Sequence, residues 1–386
     1  MPIQQQGDVA RHDAKIGINA HLLSPVSGYR RAGIHQYIAQ VLRNLPRLNG
    51  RSHYTIYTRD CASIEEREGF KVVSSSWPTE KRSVRILWEQ VSWPIQIEQE
   101  QFDLLHSMAF VSPILNKIPT IVTVYDLSFV HFPDTFPALQ RLYLHSQTAR
   151  SVRSARRVIT ISEASRQDLH DFFEIPLDKI DVVLPGVDQV FRSVPADQVN
   201  AFREKQGITG RFILHVGTLQ PRKNIPVLLE AFSLSRAKGT VLVLAGAKGW
   251  QYDEIFAMTK DLGLERRVHF TGYVADQELP LWYNAADALV FPSIYEGFGM
   301  PVLEAMACGT PVIAARTSSI PEAGGEAALY FEPQDAAALA RHIDSVLDDD
   351  RLAKHMQQSG LEQAQKFSWE QAGIETSQVY ARSLAK

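Results

Sequence analysis

The residues best suited to chemistry stand in one stretch of the sequence, FPSIYEGFGMPVLEAMACGTPVI, which runs from Phe291 to Ile313. It contains two glutamates, Glu296 and Glu304, with seven residues between them. Carboxylate oxygens accept hydrogen bonds, so Glu304 could hold two neighbouring ribose hydroxyls and Glu296 the hydroxyls of a sugar. Gly297 and Gly299 leave bare backbone N–H groups that an anionic or hydroxylated ligand can approach closely. The stretch therefore predicts a site for a hydroxyl-rich, anionic ligand.

A short helix is expected to position these groups. Pro301 suits the first helical position, because its missing N–H would have no helical partner there. Gly309 and Pro311 predict that the helix ends after about two turns. We therefore expect Glu304 in the first turn, where the helix dipole favours a negative charge. Either glutamate alone would more often be a surface carboxylate, and it is the glycines and the proline around both that favour a site.

A second candidate element is LQPRKN, residues 219–224, between a predicted strand and a predicted helix. Arg222 and Lys223 can face a pyrophosphate, and Asn224 is predicted to cap the helix that follows. A lone Arg-Lys pair in a loop is usually solvated, so this assignment depends on the rest of the pattern.

A glycine-containing loop after the first predicted strand, SPVSGYRRAG at residues 24–33, is a third candidate. Gly33 opens the next helix and is the better placed of the loop's two glycines. Glycines before a helix are also ordinary turn residues, and that interpretation stays open. The loop lacks G-x-G-x-x-G, so it is not a dinucleotide-binding fingerprint.

Polar residues also follow strands of the N-terminal half. His106 ends one predicted strand, and Tyr125, Asp126 and His131 follow another. Side chains at the carboxyl ends of parallel strands can reach a ligand. A core position explains His106 equally well, and Tyr125 could also be a core residue.

Several other polar groups have structural explanations. Ser162 is predicted to cap a helix, and the run Asp348-Asp349-Asp350 is interpreted as cap and turn chemistry rather than a metal site. A basic cluster is interpreted as a solvated helix face, with a patch that faces an anionic, lipid-linked ligand as the alternative. Its members are Arg150, Arg153, Arg156 and Arg157.

The elements that carry these residues indicate an α/β protein. Short apolar runs such as AKIGINA, IPTIVTVYDL, RFILHVG and TVLVLAG alternate with segments of helical period. Strands that are apolar on both faces belong to parallel sheets wrapped by helices, so we expect two Rossmann-like, doubly wound domains facing a central cleft. The expected divisions are a polar leader at 1–13, an N-terminal domain at 14–190, a C-terminal domain at 191–366, and a helix at 367–386 packing back toward the N-terminal domain.

Composition excludes several other classes. The 386 residues are 45% hydrophobic and 22% charged, which is typical of globular proteins with room for two cores. A net charge of −3 gives no reason to expect nucleic acid as a partner. Cys61 and Cys308 make neither a disulfide framework nor a metal cluster, which fits a reducing cytoplasm. The N-terminal residues lack a signal peptide's apolar core, and no apolar run reaches the ~18 residues of a membrane span.

Together these motifs resemble a known family. The string S-x-x-E-G-F-G-x-P-x-L-E-A-M-A-C-G-T-P-V-I is similar to the signature of retaining glycosyltransferases of family four, which have the GT-B fold. The segments VGTLQPRKN (216–224), FTGYV (270–274) and FSW (367–369) extend the resemblance over nearly the whole chain. The resemblance implies transfer of a hexose, with retention, from a nucleoside-diphosphate sugar to an acceptor hydroxyl. It also implies that the domain at 14–190 binds the acceptor and the domain at 191–366 binds the donor.

The resemblance also assigns roles to residues. Thr218 stands where many members carry a second arginine, so Arg222 is expected to take over its contact with the diphosphate. Tyr125-Asp126 stands where many have His-Asp, and this pair is expected to orient the sugar or acceptor. His106 and His131 are expected on the acceptor side. The expected catalytic residues are Asp126, Tyr125, Glu296, Arg222 and Lys223, and the expected donor-binding residues are Gly33, Thr218, Arg222, Lys223, Gly272, Tyr273, Glu296, Gly297, Phe298, Gly299 and Glu304.

GDP-mannose is the favoured donor, by resemblance to bacterial polysaccharide mannosyltransferases, and UDP-glucose is the alternative. The acceptor is expected to be a glycan or a lipid-linked molecule, and the protein is expected in the cytoplasm or peripherally at the inner face of the membrane. No metal and no cofactor are expected. Two other classes stay open: a nucleotide-sugar epimerase on the same fold, and a non-catalytic nucleotide-sugar-binding protein.

Overall fold

The computed structural model describes residues 13–23, 33–249 and 252–385. Their contacts divide the chain into two compact units. Unit 1 holds the described residues up to Gly186 together with those from Trp369 onward, and unit 2 is Val187–Ser368. The chain thus leaves unit 1 once and returns to it for its last helix.

The described part of unit 1 forms a parallel sheet of seven strands, in the order β3-β2-β1-β4-β5-β6-β7. The strands in the middle are buried on both faces, as all five residues of TIVTV at 120–124 show, because helices cover both sides of the sheet. The chain moves outward from β1 to β3 and then returns to place β4 on the other side of β1. Strand order therefore reverses between β1 and β4, the switch point of this sheet. The strands are β1 (Lys15–Asn19), β2 (His53–Thr58), β3 (Phe70–Ser74), β4 (Leu104–Ser107), β5 (Thr120–Val124), β6 (Arg157–Thr160) and β7 (Ile180–Val182).

The last helix of the chain packs against the first helix of unit 1. Gly373 makes this contact close, since a Cβ there would lie 2.3 Å from the carbonyl oxygen of Asn44. Tyr37 and Trp369 add an edge-to-face ring contact at 5.7 Å between centroids. The helices of unit 1 are α1 (Ile34–Asn44), α2 (Arg82–Leu87), α3 (Trp93–Glu100), α4 (Ser128–His131), α5 (Ala138–Ser154), α6 (Glu163–Phe173) and α15 (Trp369–Leu384), with a π-helical turn, Trp88–Ser92, joining α2 to α3.

Unit 2 repeats the plan with six parallel strands in its described part, in the order β10-β9-β8-β11-β12-β13. Here the switch point lies between β8 and β11, which pair through Leu214 and Leu289. The predicted pair of doubly wound α/β domains is confirmed. The strands are β8 (Phe212–Val216), β9 (Val241–Ala245), β10 (Val268–Gly272), β11 (Ala288–Phe291), β12 (Val312–Ala315) and β13 (Ala328–Phe331).

One helix of unit 2 is shorter than its sequence indicates. The pattern of IPVLLEAFSLSRAKG, residues 225–239, predicts a helix closed by Gly239, but the helix ends at Leu234, because Ser235 turns to extended backbone and its hydroxyl binds the carboxylate of Asp344. No described helix of the protein combines the length and the apolar character needed to cross a membrane. The helices are α7 (Ala196–Lys205), α8 (Ile225–Leu234), α9 (Asp253–Asp261), α10 (Leu279–Ala285), α11 (Met300–Ala307), α12 (Ile320–Gly324), α13 (Ala336–Asp348) and α14 (Asp350–Ala364).

Candidate functional site

The two strongest sequence motifs meet at the switch point of unit 2. The LQPRKN loop follows β8 and the Glu296 loop follows β11, and these strands are neighbours. A backbone hydrogen bond from Ile294 N to Arg222 O, 3.0 Å long, joins the two loops. In open α/β sheets, ligands bind at the carboxyl ends of the strands beside such a point. The fold therefore assembles one site from segments about 70 residues apart in sequence.

Glu296 lies at the centre of this site, held by two cations. The Nη1 of Arg222 lies 2.7 Å from its Oε2, and the Nζ of Lys223 lies 2.5 Å from its Oε1. Burial alone would raise the pKa of Glu296, but the charges of Arg222 and Lys223 outweigh it and bring the pKa to about 2. The carboxylate is therefore ionised at neutral pH, and the cluster carries a net positive charge.

The backbone at Glu296 is fixed by two serines that follow β12. Ser318 and Ser319 donate their hydroxyls to the Glu296 carbonyl at 2.6 and 2.8 Å. Lys223 is nearly buried, and its ammonium lies 5.2 Å from the ring centroid of Phe291. A site held in this way needs little rearrangement to meet a developing charge.

Glycines allow the loops around the site to come together. A Cβ on Gly246, just after β9, would lie 1.9 Å from the carbonyl oxygen of Gly217, just after β8. Gly299 begins α11 with φ 109°, a conformation that disfavours any side chain. Gly297 is buried next to it, whereas Phe298 turns into the core and contacts the ring of Phe367 at 5.6 Å. Phe298 therefore anchors the loop through its side chain.

Glu304 differs from the prediction in its position on the helix. It is the fifth residue of α11, and the first turn carries no acidic residue, so the expected stabilisation by the helix dipole is wrong. Instead Tyr283 donates its hydroxyl to Glu304 Oε2 at 2.8 Å. Burial raises the pKa of Glu304 to about 7, with the charges of Asp276 and Asp188 adding to the rise. Within the part of the chain that the structure describes, this carboxylate has no cationic partner comparable to those of Glu296.

The remaining residues predicted for unit 2 lie at strand ends. Thr218 lies in the loop after β8, and Gly272 ends β10 with φ 70°. Tyr273 follows it, 46% exposed, with its hydroxyl 3.3 Å from Asp276. Asn224 occupies the N-cap position of α8, but its side chain does not cap the helix. It donates to the carbonyl of Pro333 at 2.7 Å, because Asn224 has left-handed backbone.

The candidates in unit 1 are used mainly for structure. His106 is buried, with its ring nitrogens at 2.7 Å from the Tyr380 hydroxyl and 2.8 Å from that of Thr123, so it fastens α15 to the sheet. Tyr125 is buried and donates to Met108 O at 2.6 Å. Both side chains have their polar atoms engaged inside the core, which favours the core position left open for each from the sequence.

Three further candidates of unit 1 keep some exposure. Asp126 accepts a hydrogen bond from Ser128 N at 2.8 Å and so shapes the turn after β5. His131 lies 3.0 Å from Asp168. Gly33 starts α1 with φ 57°, while residues 24–32 of its loop lie outside the described residues.

The structural interpretations of polar groups have mixed outcomes. Ser162 caps α6 and Asp349 caps α14, as predicted. The basic cluster is not one helix face, because α5 ends before Arg156 and Arg157. Arg157 pairs with Asp181, and Arg150 donates to backbone carbonyls of the loop after β4.

Sequence reasoning missed several residues that shape the sites. Tyr283 and the two serines at 318–319 lie outside the recognised motifs, and only the folded chain brings them to Glu304 and Glu296. Glu89 was also missed, although a single glutamate inside the apolar string ILWEQV is a visible signal of a buried charge. The described residues hold no group of three or more His, Cys, Asp or Glu arranged to bind a metal ion.

Two family profiles match this chain in succession. Residues 31–190 match the profile described as Glycosyltransferase Family 4. Residues 198–363 match the profile described as Glycosyl transferases group 1.

Curated relatives include several bacterial transferases. The O-antigen chain mannosyltransferase B of Escherichia coli is 35% identical over 265 residues, which cover 67% of this chain and 69% of that protein. The serotype-specific mannosyltransferase WbdA of Escherichia coli is 31% identical over 222 residues, but the match spans only 27% of that protein. A D-inositol 3-phosphate glycosyltransferase of Corynebacterium glutamicum is 29% identical over 75% of this chain and 74% of its own length.

Solved structures share the fold at lower identity. Sucrose-phosphate synthase from Thermosynechococcus elongatus matches with a TM-score of 0.77 and 23% identity, over 96% of this chain and 98% of its own. Anabaena Alr3699/HepE, solved in complex with UDP-glucose, matches with a TM-score of 0.75 and 18% identity, over 95% and 99% of the two chains.

Proposed function

This chain belongs to the group 1 glycosyltransferases of family 4, and on that premise we propose that it transfers mannose from GDP-mannose to an acceptor hydroxyl during polysaccharide synthesis. The choice of mannose is supported by the relatives named as mannosyltransferases. The observation that carries the chemistry is the placement of Arg222 and Lys223 around Glu296 at the switch point of unit 2.

The difficult part of sugar transfer is the departure of a nucleoside diphosphate, which gains negative charge as the bond to the anomeric carbon breaks. Arg222 and Lys223 stabilise that charge, and their low exposure strengthens the effect because little water screens it. Glu296, already ionised, accepts hydrogen bonds from hydroxyls of the hexose. Glu304 accepts those of the ribose diol.

The same residues support transfer with retention and without a metal. Two cations supply the positive charge that a divalent ion provides in other transferases, so no metal is required. The acceptor attacks from the face that the diphosphate leaves, and the departing phosphate takes the acceptor's proton. This step needs no protein nucleophile, and the α configuration of the donor is kept in the product.

A transfer assay with defined donors tests this function. The chain is incubated with GDP-mannose or UDP-glucose and with octyl α-D-mannopyranoside as acceptor, and products are identified by NMR. We expect an α-linked mannosyl product from GDP-mannose. A product from UDP-glucose alone would overturn the donor assignment, isomerised nucleotide sugar without acceptor would indicate an epimerase, and binding without turnover would indicate a non-catalytic protein.

A pair of variants separates the proposed chemistry from general effects of charge. Lys223→Met keeps the length of the side chain and removes the ammonium, so turnover should fall by about 100-fold or more. Lys205→Met is the matched control, because Lys205 is an exposed lysine of unit 2, on α7, paired with Glu278. Equal turnover in the two variants would refute the role of Lys223.

A further inference from the structure

Unit 1 has a switch point of its own, between β1 and β4, in addition to the one in unit 2. Polar side chains lie close to it. Asn19 is the last residue of β1 and Ser107 the last of β4, and the two are register partners. The rule that places ligands beside the reversal of strand order applies to this sheet as it does to that of unit 2. Both residues are buried, so the end of the sheet is polar but covered.

Glu89 lies above this point on the π-helical turn between α2 and α3. Its side chain is nearly buried, and Asn19 Nδ2 approaches its Oε1 at 3.4 Å. Arg85, one turn earlier, lies 3.9 Å from the same oxygen, longer than a direct hydrogen bond. Burial raises the pKa of Glu89 to about 7 despite these two neighbours. Glu89 is thus a buried carboxylate with incomplete partners, on the kind of turn that occurs often at functional sites.

Three buried polar atoms on residues around Asn19 and Glu89 have no hydrogen-bond partner among the described residues, and Ser107 belongs to them as the register partner of Asn19. They are Nε2 of His21, Oγ of Ser107 and the hydroxyl of Tyr143. The charge of Arg85 acts on the pKa of His21, of Glu89 and of Tyr143, so these groups share one region. Folded proteins rarely leave buried polar atoms unpaired, since each one costs stability. Several of them together indicate that a ligand supplies the missing partners.

We propose that Asn19, His21, Glu89 and Tyr143 form the subsite for the acceptor sugar, with the carboxylate of Glu89 accepting hydrogen bonds from its hydroxyl groups. This inference rests on the proposed function, since it assigns the second substrate of the same reaction. A sugar fits because carboxylate, amide, imidazole and phenol groups together match hydroxyls, which both donate and accept. A phosphate fits poorly, because the carboxylate at the centre of the cluster would repel it.

The subsite is tested by steady-state kinetics in which the donor and acceptor concentrations are varied independently. The full chain, Glu89→Gln and Tyr143→Phe are compared with GDP-mannose as donor and octyl α-D-mannopyranoside as acceptor. We expect the acceptor KM to rise about tenfold in Glu89→Gln and about threefold in Tyr143→Phe, the losses typical of one charged and one neutral hydrogen bond. The dissociation constant of GDP should stay within about twofold of the parent, because Arg222 and Lys223, the residues proposed to hold the diphosphate, lie in unit 2.

Two controls keep the interpretation unambiguous. Glu98→Gln removes an exposed carboxylate of α3 and should leave every parameter unchanged. Tyr143→Phe removes a hydroxyl that has no hydrogen-bond partner in the described part of the chain, so the melting temperature should not fall even if Glu89→Gln proves unstable. An acceptor KM within about twofold of the parent in both variants would overturn the subsite.

The test also separates this inference from the proposed function. If the parent chain shows no turnover of GDP-mannose, the proposed function fails, and the subsite is then tested by direct binding. Saturation-transfer NMR with octyl α-D-mannopyranoside should show binding to the parent and to Glu98→Gln, and a clearly weaker signal with Glu89→Gln. Equal signals from all three proteins would overturn the subsite whatever the donor.

Discussion

Glu304 offers a quantitative test, because its raised pKa ties donor binding to pH. Without ligand the pKa is about 7, while hydrogen bonds from a ribose diol favour the ionised form. Between pH 8 and pH 6 the ionised fraction of such a group falls from about 90% to about 10%, so donor affinity should fall about tenfold, or ~1.4 kcal/mol. Glu304→Gln keeps the shape but not the charge, so its affinity should be pH-independent and about thirtyfold below that of the parent at pH 8.

Isothermal titration calorimetry with GDP-mannose measures this effect directly. The sugar esterifies the terminal phosphate, so the donor has no phosphate group that titrates between pH 6 and 8. A dissociation constant that stays flat over this range in the parent would refute the assignment of Glu304. So would an unchanged pH dependence in Glu304→Gln, since the titrating group would then lie elsewhere.

Glu304→Gln should also change the stability of the protein, and in the direction opposite to its effect on donor affinity. The folded-state pKa of Glu304 is raised above its ordinary value of 4.5, so ionisation costs stability as pH rises from there through about 7. The cost at pH 8 is as much as about 3 kcal/mol, which Glu304→Gln should recover in part as a higher melting temperature. A variant that is more stable but binds donor more weakly fits a binding residue and not a structural one.

The neighbouring groups give three further expectations. Glu296→Gln should lower the free energy of unfolding in urea at pH 7 by about 3 kcal/mol, because it leaves Arg222 and Lys223 without their carboxylate; an unchanged midpoint would contradict the buried pairing. Gly246→Ala should weaken GDP binding in calorimetry, since its methyl group would displace the carbonyl of Gly217, and wild-type affinity would show that the loops adapt. Transfer activity should survive excess EDTA, and a loss restored by added Mg²⁺ would contradict the metal-free mechanism.

The sequence was most informative where a long motif fixed several residues at once. The Glu296 loop, the arginine and lysine after β8, and the parallel strands all follow from local patterns of glycine, charge and apolar residues. Strands β3 and β13 were missed because FKVVS and ALYF are short and only partly buried, so their apolar signal is weak. Edge strands of a sheet commonly show this mixture, since one side lacks a neighbour.

The directions of some side chains could not be predicted from the sequence, for a different reason. Tyr125 follows a strand that ends at the ligand edge of the sheet, so its position suggested contact with a ligand. The structure turns its ring into the core, where Met108 supplies a carbonyl for the hydroxyl. Asn224 likewise has the right position for a cap and the wrong backbone angle. In both cases a hydrogen-bond partner elsewhere in the sequence fixes the direction of the side chain, and no local sequence pattern indicates that partner.

Three glutamates of low exposure differ in how far the protein itself compensates their charge. Glu296 has two cations, and its pKa falls to about 2, so the protein itself satisfies its charge. Among the residues that the structure describes, Glu89 and Glu304 have only weak or neutral partners, and burial raises the pKa of each to about 7. Such groups oppose folding at neutral pH, because their charge is poorly compensated. Both carboxylates accept hydrogen bonds well. Hydroxyl groups of the substrates, those of the ribose at Glu304 and of the acceptor sugar at Glu89, would therefore stabilise the negative charges that the folded protein leaves poorly compensated.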